Sequence, residues 1–472
     1  MSIHEEETLG KAYDSRLMRR LMGFLRPYRW SVLLAVAVLI AGSLIELAGP
    51  YLTRIAIDNH IRIGDVAGLQ HIALLYFLLL VGQAIITYTT TWLTQRIGQR
   101  IMYDMRMSLF SHLQKLPLSY FDRNPVGRLI TRVTNDVETL NNMLSSGVVT
   151  IFGDLFVLIG IIVAMMLFHW RLASLTLLVL PLILYTSFLF RTHIRDSFRQ
   201  VRLRIARINS YLQENITAIT TVQLFSREAK NSARFDELNR DHLQAYLKTI
   251  FYYAVFYPVI ELIMAVSIGL ILWYGGLQVI DQTLTLGVLV AFLQYVQRFF
   301  MPIRDLSEKF NLLQSAMAAS ERIFGVLDTP IQDMGPVGLA PMPPARGEIQ
   351  FQRVSFGYHQ DHLVLKDVNF TIKPGEKVAV VGATGAGKTS LINLINRLYE
   401  PTAGTVFLDG VNTLHLPLDD LRRRIRMVLQ EVFIFSGTVE YNIRLGDQNI
   451  PMDRVLYAAQ EVHAHDFIVK LP

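Results

Sequence analysis

Six apolar stretches, near residues 32–52, 69–92, 142–168, 172–190, 251–274 and 284–303, constrain this chain more than any other feature. About 20 helical residues cross a bilayer core, and within lipid only a helix or a closed barrel satisfies its own backbone polar groups. Each stretch approaches or exceeds that length. The spacing therefore predicts an α-helical membrane domain at 1–325 with six transmembrane helices. Only Phe168-His169-Trp170-Arg171 separates the third stretch from the fourth, which predicts an antiparallel hairpin. Prolines at 50, 181, 258 and 302 fall inside or at the ends of spans, where membrane helices tolerate them.

Lysine and arginine set the orientation. Lys11, Arg16, Arg19, Arg20, Arg26 and Arg29 precede the first span. The 93–140 loop carries seven such residues and the 191–250 loop eleven, against two in 53–68 and none in 275–283. This bias predicts a multi-pass protein of the inner (cytoplasmic) membrane, with its N-terminus, both long loops and everything after span six in the cytoplasm. The net charge of +6 belongs to these flanks, so no nucleic-acid partner is expected. With no cysteine, disulfides, thiolate metal sites and thiol catalysis are excluded. The first 29 residues lack a short apolar core with a cleavage site, and no removable signal is expected.

The long loops carry helical periodicity. Ile97, Ile101, Met105, Leu109 and Leu113 recur every four residues, and Val201, Ile205, Ile208, Leu212 and Ile216 do much the same. Helix from Thr94 to His112 would reach about 28 Å beyond the membrane. Tips that far out, near 116–122 and 208–219, call for a soluble partner, and the section after the spans is the obvious one. Glu46, Asp154 and Glu261 lie within spans one, three and five. A carboxylate there costs about 2.5–3.5 kcal/mol on insertion scales unless it meets water or a partner. A cavity for a cationic or amphipathic substrate would justify them; so would capping, hydrogen bonds to Ser, Thr or Tyr, or a place near the interface.

Residues 330–347 contain five prolines and three glycines with no periodic apolar face, placing a linker at 326–346. Beyond it, 347–356 alternates as a strand, and Tyr358 follows. Gly382-Ala383-Thr384-Gly385-Ala386-Gly387-Lys388-Thr389 then matches G-x-x-x-x-G-K-[ST], and Ser390 begins a helical run to 398. The preceding Val378-Ala379-Val380-Val381 reads as a strand. In this order the glycines let backbone N–H groups and a helix N-terminus face a polyphosphate. Lys388 can reach its outer phosphates, and Thr389 can offer a hydroxyl to Mg²⁺.

The strings from Val354-Ser355-Phe356-Gly357-Tyr358 through Gly375-Glu376-Lys377 to this loop, then 404–410 and Met427-Val428-Leu429-Gln430-Glu431, resemble an ATP-binding cassette transporter. Leu116–Asp122, Gly127–Asp136 and Asn442-Ile443 are similar to its exporter class, specifically bacterial multidrug-resistance-like and lipid A flippase-like half-transporters. The resemblance implies an incomplete α/β P-loop nucleotide-binding domain at 347–472, with ATP and Mg²⁺ as cofactors. Tyr358 would stack on adenine, and Gly382 to Ser390 would hold the phosphates. Lys388 and Gln430 would serve catalysis, with Thr389 and Gln430 at the Mg²⁺ that ATP brings. It further implies a second half-transporter chain as partner and ATP-driven export or flipping of amphipathic small molecules or lipids.

After Gln430 there is no Leu-Ser-Gly-Gly-Gln signature, no aliphatic strand ending Asp-Glu and no switch histidine. Asp409 is followed by Gly410 where a catalytic glutamate would stand, and His463 and His465 precede any signature. The expectation is a chain roughly 100–130 residues short of a complete half-transporter, binding ATP without appreciable hydrolysis. The alternative is a nucleotide-binding partner subunit with a degenerate site in a heterodimer. A membrane-tethered kinase or GTPase is disfavoured by Tyr358, Gln430 and the cytoplasmic helices.

Overall fold

The computed structural model describes residues 14–334, 345–359 and 361–471. Lys11, residues 335–344 of the expected linker and Pro472 lie outside the described residues. The chain divides into two compact units, Met1–Leu116 with Tyr120–Ile331, and Pro117–Ser119 with Gln332–Pro472.

In the first unit, helix α1 (Ser15–Gly23) opens on Asp14, whose carboxylate accepts the Arg16 N–H at 2.8 Å. A short 3₁₀ turn leads to α2 (Arg29–Ile55), extended by a π-helical segment, Ala56–Ile61. Asp65 then caps α3 (Val66–Leu113), accepting the Gly68 N–H at 2.9 Å. The 48 residues of α3 are one unbroken helix, about 72 Å long, so the second span runs on well past its apolar stretch. Its expected face is buried: Ile97, Ile101, Met105 and Leu109 pack with Leu21, Val137, Leu140 and Ile323 in one core cluster.

Next along the chain come α4 (Leu118–Arg123), whose first two residues belong to the second unit, α5 (Val126–Thr131), α6 (Val137–Asn142) and α7 (Val149–Leu177), with π-helical turns at Arg132–Asp136 and Met143–Val148. Helices α8 (Leu180–Thr217), α9 (Ile219–Leu224), α10 (Glu228–Leu270), α11 (Gly276–Ile280) and α12 (Leu286–Leu327) complete the unit. A second cluster gathers Ile161 and Met165 of α7, Ile260 and Ile263 of α10, and Phe292, Tyr295 and Val296 of α12.

The six predicted stretches ride on α2, α3, α7, α8, α10 and α12, with one departure. The break expected at 168–171 falls at His169, whose non-helical φ −159° and ψ 98° divide Val149–Leu177 into two helices meeting at a kink, and whose ring Nδ1 accepts the Leu172 N–H at 3.2 Å. The fourth stretch is itself split. Residues 172–177 finish α7, and Pro181 sits in the first turn of α8, where its missing N–H has no intrahelical role. Arg26–Ile61, Val66–Leu113, Ile151–Leu177 and Glu228–Ile280 are long and apolar enough to cross a bilayer, and Leu286–Phe300 is a shorter apolar section. The expected face of α8 is also less covered than that of α3. Ile208 is buried, whereas Ile205, Leu212 and Ile216 are exposed.

The second unit holds a four-stranded antiparallel sheet in the order β2-β1-β3-β4, formed by β1 (Ile349–Phe356), β2 (Leu365–Ile372), β3 (Ala403–Leu408) and β4 (Val411–Asn412). The strand read in 347–356 forms, but its alternation is interrupted: the pairing register shifts between Phe351 and Val354, so these two residues, three apart, are both buried. Phe351, Val354 and Phe356 pack with Leu391, Leu394 and Ile395 of α13 (Lys388–Ile395). Four helices follow: α14 (Leu418–Arg424), α15 (Val439–Arg444), α16 (Met452–Glu461) and α17 (His465–Ile468).

One expected strand does not form. Val378–Val381 has no ladder partner among the described residues, and Val381 is 87% exposed. A strand is defined by its neighbour, and β-branched composition alone does not supply one. The expected linker also begins late. Residue 326 is still in the last turn of α12, and 332–334 are bound into the second unit.

Candidate nucleotide site and intramembrane charges

The phosphate loop follows from two glycines. Gly385 and Gly387 adopt φ of +85° and +86°, a region that costs other L-residues about 1–2 kcal/mol. Gly387 is also tightly enclosed, since a Cβ there would lie 2.8 Å from Leu365 Cδ2, whereas one on Gly385 would meet nothing within 4 Å. Gly387 caps α13, and the Leu391 N–H donates to its carbonyl at 3.0 Å. The first-turn N–H groups of α13, on Lys388, Thr389 and Ser390, have no intrahelical acceptor and so present positive dipole ends. The Lys388 ammonium donates to the carbonyl oxygens of Gly382 at 2.9 Å and Ala383 at 2.7 Å. A lysine among outward N–H groups is a fit for a polyphosphate.

Tyr358 belongs to the same site. Its hydroxyl is 2.9 Å from Ser390 Oγ, and its ring stands edge-on to Phe356 and Tyr399 at 4.9 and 5.2 Å. The ring remains 38% exposed, so one surface is open to a planar ligand. Ala383, Thr384, Ala386 and Thr389 are exposed along the loop, and Ser390 is buried. The structure does not join Gln430 to this group. Gln430 is exposed and makes no hydrogen bond to the loop among the described residues. Among those residues there is also no cluster of three or more His, Cys, Asp or Glu that could hold a metal.

Sequence reading passed over Arg397 and did not find the structural role of Asp409. Arg397, 1% exposed, donates to the carbonyl oxygens of Asp333 at 2.9 Å and Leu416 at 3.1 Å, fastening 332–334 behind α13. Asp409 accepts the N–H groups of Gly347 at 2.8 Å and Glu348 at 2.9 Å, which gives this carboxylate a turn-forming role. Desolvation also holds the Arg422 guanidinium below its ordinary pKa.

Of the three membrane carboxylates, Glu46 and Asp154 lie near enough to interact electrostatically. Asp154 on α7 forms an ion pair with Lys309 on α12, the partnered case rather than the free anion. Arg298 on α12 donates to the backbone carbonyl of Glu46, and Glu46 itself is half-buried on α2. Glu261 is exposed on α10 and makes no ion pair or hydrogen bond among the described residues. Lys309 was missed because it lies past the last apolar stretch, 155 residues from its partner.

Comparison with known proteins agrees with both halves. The ABC transporter transmembrane region matches residues 32–303, and the ABC transporter domain matches 365–471. An uncharacterized ABC transporter ATP-binding protein of Bacillus subtilis, YknV, is 34% identical, over 99% of this chain and 78% of its own. The ATP-dependent lipid A-core flippase of Syntrophus aciditrophicus is 33% identical, over 97% of this chain and 76% of its own. A putative multidrug export ATP-binding/permease protein of B. subtilis, YgaD, is 29% identical, over 97% of this chain and 80% of its own. Several long apolar helices, a phosphate loop on the N-terminus of α13 and these matches place the chain in the ABC transporter family, as a half-transporter of exporter type.

Proposed function

We propose that this protein exports or flips amphipathic small molecules or lipids across the cytoplasmic membrane, driven by ATP, as one half of a dimer. The observation that carries the reading is the phosphate loop. Lys388, the glycine-shaped backbone and the exposed ring of Tyr358 together offer groups for the phosphates and base of one nucleotide. ATP, when bound with Mg²⁺, supplies the phosphoanhydride whose binding and hydrolysis drive the cycle. Lys388 would exchange its carbonyl partners for phosphate oxygens, Thr389 would hold the cation, and Gln430 would orient the attacking water.

A ligand shifts a conformational equilibrium only by its differential affinity for the two states. ATP held between two copies would supply that difference, and the levers of α3 and α8 would carry it to the spans. The exposed Ile205, Leu212 and Ile216 on α8 support a second chain as the partner that covers them. The lysine and arginine bias supports a cytoplasmic nucleotide unit. The similar proteins are named for lipid A-core, fatty acids and multidrug export, which supports an amphipathic cargo.

The test is ATPase activity of the full-length protein in liposomes against a panel of lipids and cationic dyes. Stimulation by one class, abolished by Lys388→Ala, is expected. Activity indifferent to every amphiphile, or undiminished in Lys388→Ala, would refute the proposal.

A further inference from the structure

A cleft between the start of α2 and the middle of α3 carries positive charge that neither the phosphate loop nor the paired membrane residues use. Tyr28, Ser31, Leu93, Arg96, Ile97 and Arg100 line a cavity of about 260 Å³. A more open hollow of about 470 Å³ shares Tyr28, Arg96 and Arg100 with it and adds Gln99, Tyr103 and Asp104. Arg96 and Arg100 stand one turn apart on the same face of α3. The Arg96 guanidinium lies over the Trp92 ring at 4.8 Å, and Arg100 forms no ion pair or hydrogen bond among the described residues. Asp104 is the single acid in either lining, and it accepts the Tyr28 hydroxyl at 2.7 Å. The floor is apolar, with Leu93 and Ile97 both buried.

The height of the cleft selects its occupant. The apolar run of α2 begins just after Trp30 and that of α3 ends at Trp92, and both indoles are exposed, at 73% and 49%. Tryptophan at the ends of adjoining apolar helices marks the headgroup level of a bilayer. Leu33 and Leu34 are exposed directly above on α2, a surface suited to acyl chains. We propose that this cleft binds an anionic phospholipid of the adjacent leaflet, with its phosphate between Arg96 and Arg100 and Ser31 as a neighbouring hydroxyl donor, the Tyr28 hydroxyl being given to Asp104. Planar guanidinium forks match phosphate oxygens, and basic pockets beside membrane helices recognise such headgroups. The proposal is independent of the cargo and of nucleotide turnover.

Native mass spectrometry of the detergent-solubilised protein, titrated with phosphatidylglycerol, tests it. Arg96→Ala with Arg100→Ala should weaken the tightest lipid-binding step about 30-fold, from two surface charges. Arg96→Lys with Arg100→Lys should retain most of it, and Arg202→Ala on α8 should change nothing. Neither phosphatidylcholine nor millimolar inorganic phosphate should displace the bound lipid. Equal binding by the double alanine variant, equal loss in Arg202→Ala, or equal affinity for phosphatidylcholine would overturn the proposal. So would displacement by inorganic phosphate, which would make the cleft a site for soluble anions. If the double variant does not fold, Arg100→Gln alone decides, because that side chain has no partner to lose; unchanged binding there overturns the proposal and weakened binding upholds it.

Discussion

The ammonium of Lys388 is 2.7 Å from the carbonyl oxygen of Ala383, so the lysine is folded back onto the loop that precedes it. Triphosphate binding has to exchange this bond, and the companion bond to Gly382, for bonds to anionic oxygens. A charge-assisted hydrogen bond contributes about 1.5–3 kcal/mol net. Lys388→Ala should therefore weaken ATP roughly 10- to 150-fold without lowering the melting temperature of the second unit. Anisotropy of a fluorescent ATP analogue, read beside a thermal melt, checks both halves.

Gly385 and Gly387 share a backbone conformation but not their surroundings. Gly387→Ala combines positive φ with a Cβ 2.8 Å from Leu365, so it should cost about 2–4 kcal/mol and also disturb β2. Gly385→Ala meets only the conformational cost, about 1–2 kcal/mol. Chemical denaturation of the two variants should rank them in that order, and equal losses would contradict the packing argument.

In the membrane unit, Asp136 is 5% exposed and takes a two-pronged bond from Arg322, at 2.6 Å and 3.0 Å. This joins the π-helical turn after α5 to α12. Removing one partner of a buried pair typically costs about 3–5 kcal/mol. Asp136→Ala should destabilise the unit by about 3 kcal/mol, Arg322 being partly exposed, and a melt in detergent within 1 kcal/mol of wild type would exclude that role.

Arg20 on α1 grips Asp328, just past α12, through bonds of 2.6 and 2.7 Å, and holds that carboxyl below its usual range. A lowered folded pKa means the stabilisation is complete above the ordinary aspartate value near 3.9 and lost as pH falls through the lower one. The pair is partly exposed, so its worth is at most about 1 kcal/mol. Rate-corrected amide exchange in α1 should stay flat from neutral pH to about pH 4 and rise below it. Asp328→Asn should exchange faster throughout and lose that acid response.

Features that rest on local pattern were legible in the sequence. Helix α3, its buried Ile97–Leu109 face, the presence of strand β1 and the glycine loop all depend on residues close in the chain. What escaped depends on distant partners. Val378–Val381 has strand composition but no neighbouring strand among the described residues. Arg397 is buried because carbonyls at 333 and 416 accept its protons. Asp154 reads as a free intramembrane acid until Lys309 is found beside it. The fourth apolar stretch was placed by hydropathy alone, which does not register that Pro181 belongs to a new first turn.

Hydrogen–deuterium exchange on the protein in lipid nanodiscs, with and without Mg²⁺ and a non-hydrolysable ATP analogue, tests most directly whether nucleotide binding drives the membrane helices. Protection at 382–390 should coincide with altered exchange at 114–125 and 208–227, the ends of the α3 and α8 levers, and both should vanish in Lys388→Ala. Protection confined to 382–390, with the lever ends unchanged at saturating nucleotide, would contradict the account.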